Sequence, residues 1–361
     1  MEGIMKLRKL MSVLLISILS LASTTQVASA APKKKKEATA PTIRIGFFAN
    51  VTHSPALVAQ ELQFFNKYFS KDKTKIELIA FNAGPAAIEA MKAGAIDVSY
   101  IGPNPAINAF ASTKGSLIKI ITGSTSGGAE FIVKPNIQSV DDLKGKKLAT
   151  PQLGNTQDVA LRSWLKSQGL STSIVGSGDV TVIPTENAQT LTLFQRGDID
   201  GAWLPEPWST RLVLEAGAKV FLDERSLWPK GQFVTTHIIA NSEYLKKYPG
   251  TIRSLINAHI DAINYIDKNG AAAQDMVQRQ IEKWTGKRLP DAVMVRAWKN
   301  LSFTVDPVAN SLEKSADDAV DVGLLTTLSS RGLNGIYDLR ILNSILKSKK
   351  IKAVSANGLG L

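Results

Sequence analysis

From Thr42 onward, short apolar runs alternate with stretches whose apolar residues recur at helical spacing. The runs IRIGFF, IELIAF, IDVSYIG and LIKIITG enclose ALVAQELQFFNKYF and AAIEAMKAG. Strands alternating with helices build crossover units around a mostly parallel sheet, so an α/β lobe is predicted here.

The same order of segments returns at a constant offset of 103 residues. IGFFANVTHSPALV from Ile45 matches LATPQLGNTQDVAL from Leu148, and IELIAF from Ile76 matches DVTVIP from Asp179. KAGAIDVSYIG from Lys92 matches QRGDIDGAWLP from Gln195, with Gly94 on Gly197, Ile96 on Ile199 and Asp97 on Asp200. Few residues are identical, so the order and the constant offset carry the inference of two similar α/β lobes.

In open α/β sheets, ligands bind beyond the carboxyl ends of the strands, where loops lead into helix starts. The offset pairs VTHSP of the first lobe with GNTQD of the second, and IGPNP with LPEPW. Two extended crossings, GSTSGGAEFIVKP at 123–135 and FVTTHIIAN at 233–241, predict a two-strand hinge. After Asn241 the pattern is helical, with Ile252, Leu255, Ile256, Ile260 and Ile263 on one face. This tail is expected on the first lobe, giving 42–128 with 236–361 as lobe one and 129–235 as lobe two.

Ahead of the lobes stand Lys6, Arg8 and Lys9, the apolar run Leu10 to Leu21, and Ala28-Ser29-Ala30. That order predicts a signal peptide over 1–30, cleaved after Ala30, and the run is too short to span a bilayer. Residues 31–41 form a Lys-rich leader. The chain has no cysteine, which removes disulfides, thiolate chemistry and a lipid-bearing cysteine. A free periplasmic protein is therefore expected.

The net charge of +12 invites a nucleic-acid reading, but Lys6, Arg8 and Lys9 lie in the signal segment and Lys33 to Lys36 form one solvated run. No zinc-finger spacing, basic heptad region or aromatic-basic strand motif accompanies it. Enzyme signals are also missing: there is no GK[ST] phosphate loop, G-x-G-x-x-G or G-x-S-x-G. His53, His237 and His259 lack helical metal spacing, and His259 falls near an apolar helix face as a structural residue. No catalytic residue, cofactor or metal site is expected.

Anion capture fits the loops better. A helix starting near Gln157 offers backbone N–H groups, while Asn155 and Thr156 add neutral polar atoms. The same residues are ordinary helix caps, and Thr52, His53 and Ser54 are equally ambiguous. Asp158 reads as a helix-start residue, since a carboxylate would repel an anion. Asn104 is either a donor or part of a proline-flanked turn. Glu206 either meets a cationic ligand group or pairs with Arg211, and Trp208 forms an apolar wall or a core contact, while Trp203 is core. Micromolar affinity needs about 8 kcal/mol, whereas a helix terminus supplies roughly 0.3 to 1 and a charge-assisted hydrogen bond about 1.5 to 3. Donors from both lobes must therefore converge.

Residues 42 to about 348 resemble the substrate-binding proteins of bacterial ABC importers for nitrate, sulfonates and taurine, most of all the aliphatic-sulfonate branch. FNAGPAAIEAMKAGAIDVSYIGPNPAIN, PQLGNTQDVALRSWL and WLPEPWSTRLV carry the likeness. It implies a type II periplasmic-binding fold that closes on a small anionic solute and delivers it to an inner-membrane permease, acting as a monomer without nucleic acid. Carried over, it makes Asn104, Asn155, Thr156 and Gln157 head-group ligands, with Thr52 and His53 on the facing wall and Glu206 and Trp208 nearby. Relatives that make the thiamine pyrimidine share the fold, but depend on histidine and cysteine positions that this chain lacks.

Overall fold

The 103-residue repeat has a counterpart in hydrogen bonds at two equivalent carboxylates. In a computed structural model describing residues 37–326 and 332–361, Asp97 Oδ2 accepts from the Arg44 amide at 2.8 Å. Asp200 Oδ2 accepts from the Lys147 amide at 3.0 Å, with the same offset on both partners. Each carboxylate also pairs with a cation, Arg44 and Lys134 respectively. The expected signal peptide and the Lys33 to Lys36 run lie outside the described residues.

The apolar runs form eleven strands among the described residues: β1 Thr42–Phe47, β2 Lys75–Ala80, β3 Val98–Ile101, β4 Ile118–Gly127, β5 Ala129–Val133, β6 Lys147–Thr150, β7 Thr181–Pro184, β8 Gly201–Pro205, β9 Lys219–Asp223, β10 Val234–Asn241 and β11 Leu301–Phe303. They make two sheets, ordered β11-β4-β10-β3-β1-β2 and β7-β6-β8-β5-β9. In the first, β1 runs parallel to β2 and β3; in the second, β6 runs parallel to β7 and β8. Each sheet then takes an antiparallel strand inside it, β10 between β3 and β4 and β5 between β8 and β9, and β11 adds a second at the edge of the first, beside β4. Two sheets of matching order, each completed by a strand arriving through a crossing, constitute a mixed α/β fold.

Both crossings are tightly built. β4 passes into β5 through its last residue, Gly127, and Gly128, at φ of 78° and 75°. A Cβ on Gly128 would meet Leu301 Cδ2 at 2.1 Å, so glycine is required by backbone conformation and by space. The return from β9 to β10 uses two short turns, Glu224–Leu227 and Pro229–Gly231.

Ile252, Leu255, Ile256 and Ile260 of the helix Pro249–Lys268 join the core around β1, β3 and β4. The second sheet carries separate cores on its two faces, one around Phe131, Trp164 and Trp203, the other around Ile132, Phe194 and Leu204. Further along, the tail also reaches the second sheet. Arg296, in the helix Asp291–Lys299, bonds Glu130 of β5, and the Asp321 carbonyl of the helix Leu312–Asp321 accepts from Lys166.

Candidate functional site

The strand ends converge as their repeat positions require. Past β1, Phe48 and Asn50 lead into the turn Val51–His53 and the helix Ser54–Glu61. Past β6, residues 151–155 lead into the helix Thr156–Ser167. Gly102 follows β3 and Pro205 ends β8, another pair at the same offset. All four loops, with Thr235 and Thr236 of β10, line one small cavity of about 20 Å³. That is room for one water-sized group.

Five residues expected from the sequence meet there: Thr52, His53, Asn155, Thr156 and Gln157. All five are buried. Asn155 is the helix cap, its Oδ1 accepting from the Thr156 amide at 2.9 Å. Capping and cavity lining thus coincide, because the cap turns the side chains of the helix start toward the facing lobe. A Cβ on Gly102 would approach Thr156 Oγ1 to 2.5 Å, so the two walls touch only because position 102 is glycine.

Asp158 does more than begin a helix. Its buried carboxylate accepts from Thr150 Oγ1, the Gly154 amide and Arg162 Nε at 2.9, 2.9 and 3.0 Å. Arg162 in turn donates to the Ser173 carbonyl at 2.7 Å. The loop is held from behind, leaving Asn155, Thr156 and Gln157 at its front.

Four buried polar atoms of the lining have no partner: His53 Nε2, Thr156 Oγ1, Asn187 Oδ1 and Thr236 Oγ1. Such atoms are costly unless something satisfies them, and their concentration in one cavity marks a ligand site. Among the described lining residues none is Lys, Arg, Asp or Glu. His53 is neutral, its pKa pushed down to about 3 by burial against the opposing effect of the Tyr100 carbonyl.

Three expected residues lie elsewhere. Asn104 Nδ2 donates to the Ser315 carbonyl at 2.9 Å, tying the helix Pro103–Ser112 to the helix Leu312–Asp321 instead of facing the cavity. Glu206 is fully buried and accepts from Thr210 and from Asn300 Nδ2 at 2.7 Å, with Arg296 at 3.4 Å. Burial and the neighbouring Glu130 raise its pKa. The expected alternative partner Arg211 instead bonds Glu215 at 2.9 Å. Trp208 stands one contact away: its Nε1 donates to Asn50 Oδ1 across the cleft at 3.1 Å, beneath the Arg211 guanidinium.

Asn50, Asn187, Thr235 and Thr236 were missed. For Asn187 the signal was available, since it sits one offset beyond Gly84, at the start of the equivalent helix. Thr235 and Thr236 lay inside a run read only as a crossing. Next to the small cavity opens a groove of about 590 Å³, lined by Phe81, Ala83, Pro151 and Leu153 with Asn82, Gln152 and Glu186. Asn82 borders both spaces, and its Nδ2 lies 3.4 Å from Glu186 Oε1 on the other wall.

Two sheets of this order, enclosing a polar cavity at their strand ends, define a type II periplasmic-binding fold. The match to the NMT1-like family covers residues 36–281, and the chain belongs to that family. It is 26% identical over 210 residues to the taurine-binding periplasmic protein of Escherichia coli K12, covering 58% of this chain and 62% of that protein. It is 31% identical over 188 residues to a putative aliphatic sulfonates-binding protein of Bacillus subtilis 168, covering 51% and 54%. The alkanesulfonate-binding protein SsuA of Xanthomonas axonopodis pv. citri, solved bound to MOPS, superposes with a TM-score of 0.66. That alignment spans 80% of this chain and 96% of SsuA at 22% identity, a likeness of fold.

Proposed function

We propose that the chain is the periplasmic solute-binding component of an ABC importer, holding an aliphatic sulfonate by its head group and handing it to a membrane permease. The observation that carries this reading is the small cavity where two equivalent loops bring Thr52, His53, Asn155, Thr156 and Gln157 around unpartnered polar atoms, with no carboxylate among the described lining residues. An oxyanion head exceeds one water in size, so the walls part to admit it, a motion for which two crossings supply the hinge. The tail then lies in the adjoining groove, where Phe81, Pro151 and Leu153 offer apolar contact. The names of the taurine- and sulfonate-binding relatives agree with this assignment.

Glu186 at the groove favours a second reading. A carboxylate opposite the head-group cavity suits a zwitterion whose ammonium lies at the tail end, as in taurine.

Thermal-shift titration with alkanesulfonates, taurine, nitrate and sulfate tests both. Ligand at a hundredfold excess over Kd stabilises the native state by about 2.7 kcal/mol, so a clear rise in Tm with sulfonates is expected. Taurine shifting Tm well beyond ethanesulfonate would select the zwitterion. Absence of any shift at millimolar concentration would overturn the assignment.

A further inference from the structure

The cavity has donors for an oxyanion but, among its described lining residues, no Lys or Arg to offset the charge. Burying an uncompensated charge is costly. Among the described lining residues, His53 is the one whose side chain can take up a positive charge. Its ring stands against Phe48 with centroids 4.4 Å apart, Nδ1 lies 3.1 Å from Thr52 Oγ1, and Nε2 is buried without a partner.

The Thr52 hydroxyl can donate to Nδ1 or accept from it. The ring can therefore gain a proton at Nδ1 without losing its hydrogen bond to Thr52. Thr52 is itself fixed, its carbonyl accepting from Thr125 Oγ1 at 2.7 Å.

The turn Val51–His53 packs against β4, β10 and the helices Ser54–Glu61 and Asp291–Lys299. These elements carry Lys119, Glu61, His237, Asp291, Arg296 and Lys299, none of which lines the cavity. Lys119 bonds the Gly335 carbonyl, Glu61 bonds Arg279, Asp291 accepts from Gln278 and Arg296 bonds Glu130. Burial and the Tyr100 backbone alone act on His53 in the free protein, with no charged group among the influences, so a bound anion is the charge that it meets.

We propose that His53 supplies the missing positive charge by taking a proton from solvent as the anion enters, donating through Nε2 to the ligand and through Nδ1 to Thr52 Oγ1. This rests on the anion-binding reading above. Burial keeps the ring neutral without ligand, and an adjacent anion raises its pKa. Between the free and bound values, affinity falls by up to about tenfold per unit rise in pH. Above the bound value the neutral ring remains a donor and affinity levels off.

The test is isothermal titration of the full secreted chain with ethanesulfonate, an anion that does not titrate in the range, at about pH 5 to 8. Cationic buffers of different ionisation enthalpy, such as piperazine and bis-tris, avoid sulfonate competition. Proton uptake approaching one per anion at the acid end, declining as pH rises with a parallel loss of affinity, supports the proposal. His53→Gln should bind more weakly, without proton uptake and with a flat pH profile. Ethanesulfonate bound with no proton uptake across the whole range overturns the role of His53 and leaves the binding function intact. So does uptake unchanged in His53→Gln. Absence of binding by ethanesulfonate and every other anion in the thermal-shift set overturns both.

Discussion

Trp208 Nε1 donates to Asn50 Oδ1 at 3.1 Å, joining the helix start after β8 to the loop after β1. The two residues follow strands of different sheets, and Asn50 lines the cavity itself. The bond joins the two walls of the cavity, so under the proposed closing motion it favours the closed arrangement over either lobe alone. Trp208→Phe keeps the ring beneath Arg211 but removes the donor. Loss of a neutral hydrogen bond costs about 0.5 to 1.5 kcal/mol, so calorimetry should find Kd weakened severalfold with thermal stability nearly unchanged. An unaltered Kd would show that closure does not use this contact.

Thr156→Val and Asn104→Ala separate two residues that look alike in sequence. Thr156 Oγ1 is buried in the cavity without a partner, and the Asn155 cap does not depend on it. Valine should leave the fold intact and weaken binding by about 1 to 3 kcal/mol if the hydroxyl donates to a charged head group. Asn104 bonds the Ser315 carbonyl instead, so alanine there should lower the unfolding midpoint and spare Kd. Titration and urea unfolding of both variants check the division; equal loss of affinity in the two would refute it.

The buried pair of Asp158 and Arg162 sets the loop that carries Asn155 and Thr156. Removing one partner strands the other charge, at a cost of about 3 to 5 kcal/mol. Asp158→Ala should therefore lower stability strongly and weaken binding through the slackened loop. Asp158→Leu with Arg162→Leu should recover much of the stability, because no isolated charge remains, but should not restore affinity, since Thr150 Oγ1 and the Gly154 amide keep no acceptor. Urea unfolding and titration of both variants read the two effects separately.

The parts of this arrangement readable in sequence were those with a local pattern. Strand alternation, the 103-residue offset and the helix starts all leave periodic or positional marks, and the bonds at Asp97 and Asp200 show how faithfully the offset maps the backbone. Asn104 and Glu206 occupy the correct strand ends yet turn to Ser315 and Asn300, partners 211 and 94 residues away. Those partners lie in the helical tail, whose docking on both sheets depends on tertiary packing that no local pattern encodes. Thr235 and Thr236 were hidden for a related reason. A strand that crosses between lobes also forms the floor of the cleft, and only the sheet order reveals it.

Stability should depend on pH through two opposed sets of buried groups. Burial lowers His53 and His237 to about 3 and His259 to about 4. These three bind fewer protons in the native state than in the unfolded state below about 6.5, so stability falls as pH drops from there. Glu224 has the other sign: burial raises its carboxyl to about 7, although Trp203 Nε1 donates to it at 2.7 Å. Its native form binds more protons than the unfolded chain between the ordinary glutamate value and about 7, so its contribution is lost as pH rises through that window. Glu224→Gln retains an acceptor for Trp203 and removes the ionisation. Relative to the parent, it should gain stability from about pH 5 to pH 8, while both proteins lose stability in acid through the histidines. Urea midpoints at the two pH values measure the difference; a gap independent of pH would mean that Glu224 does not ionise in this window.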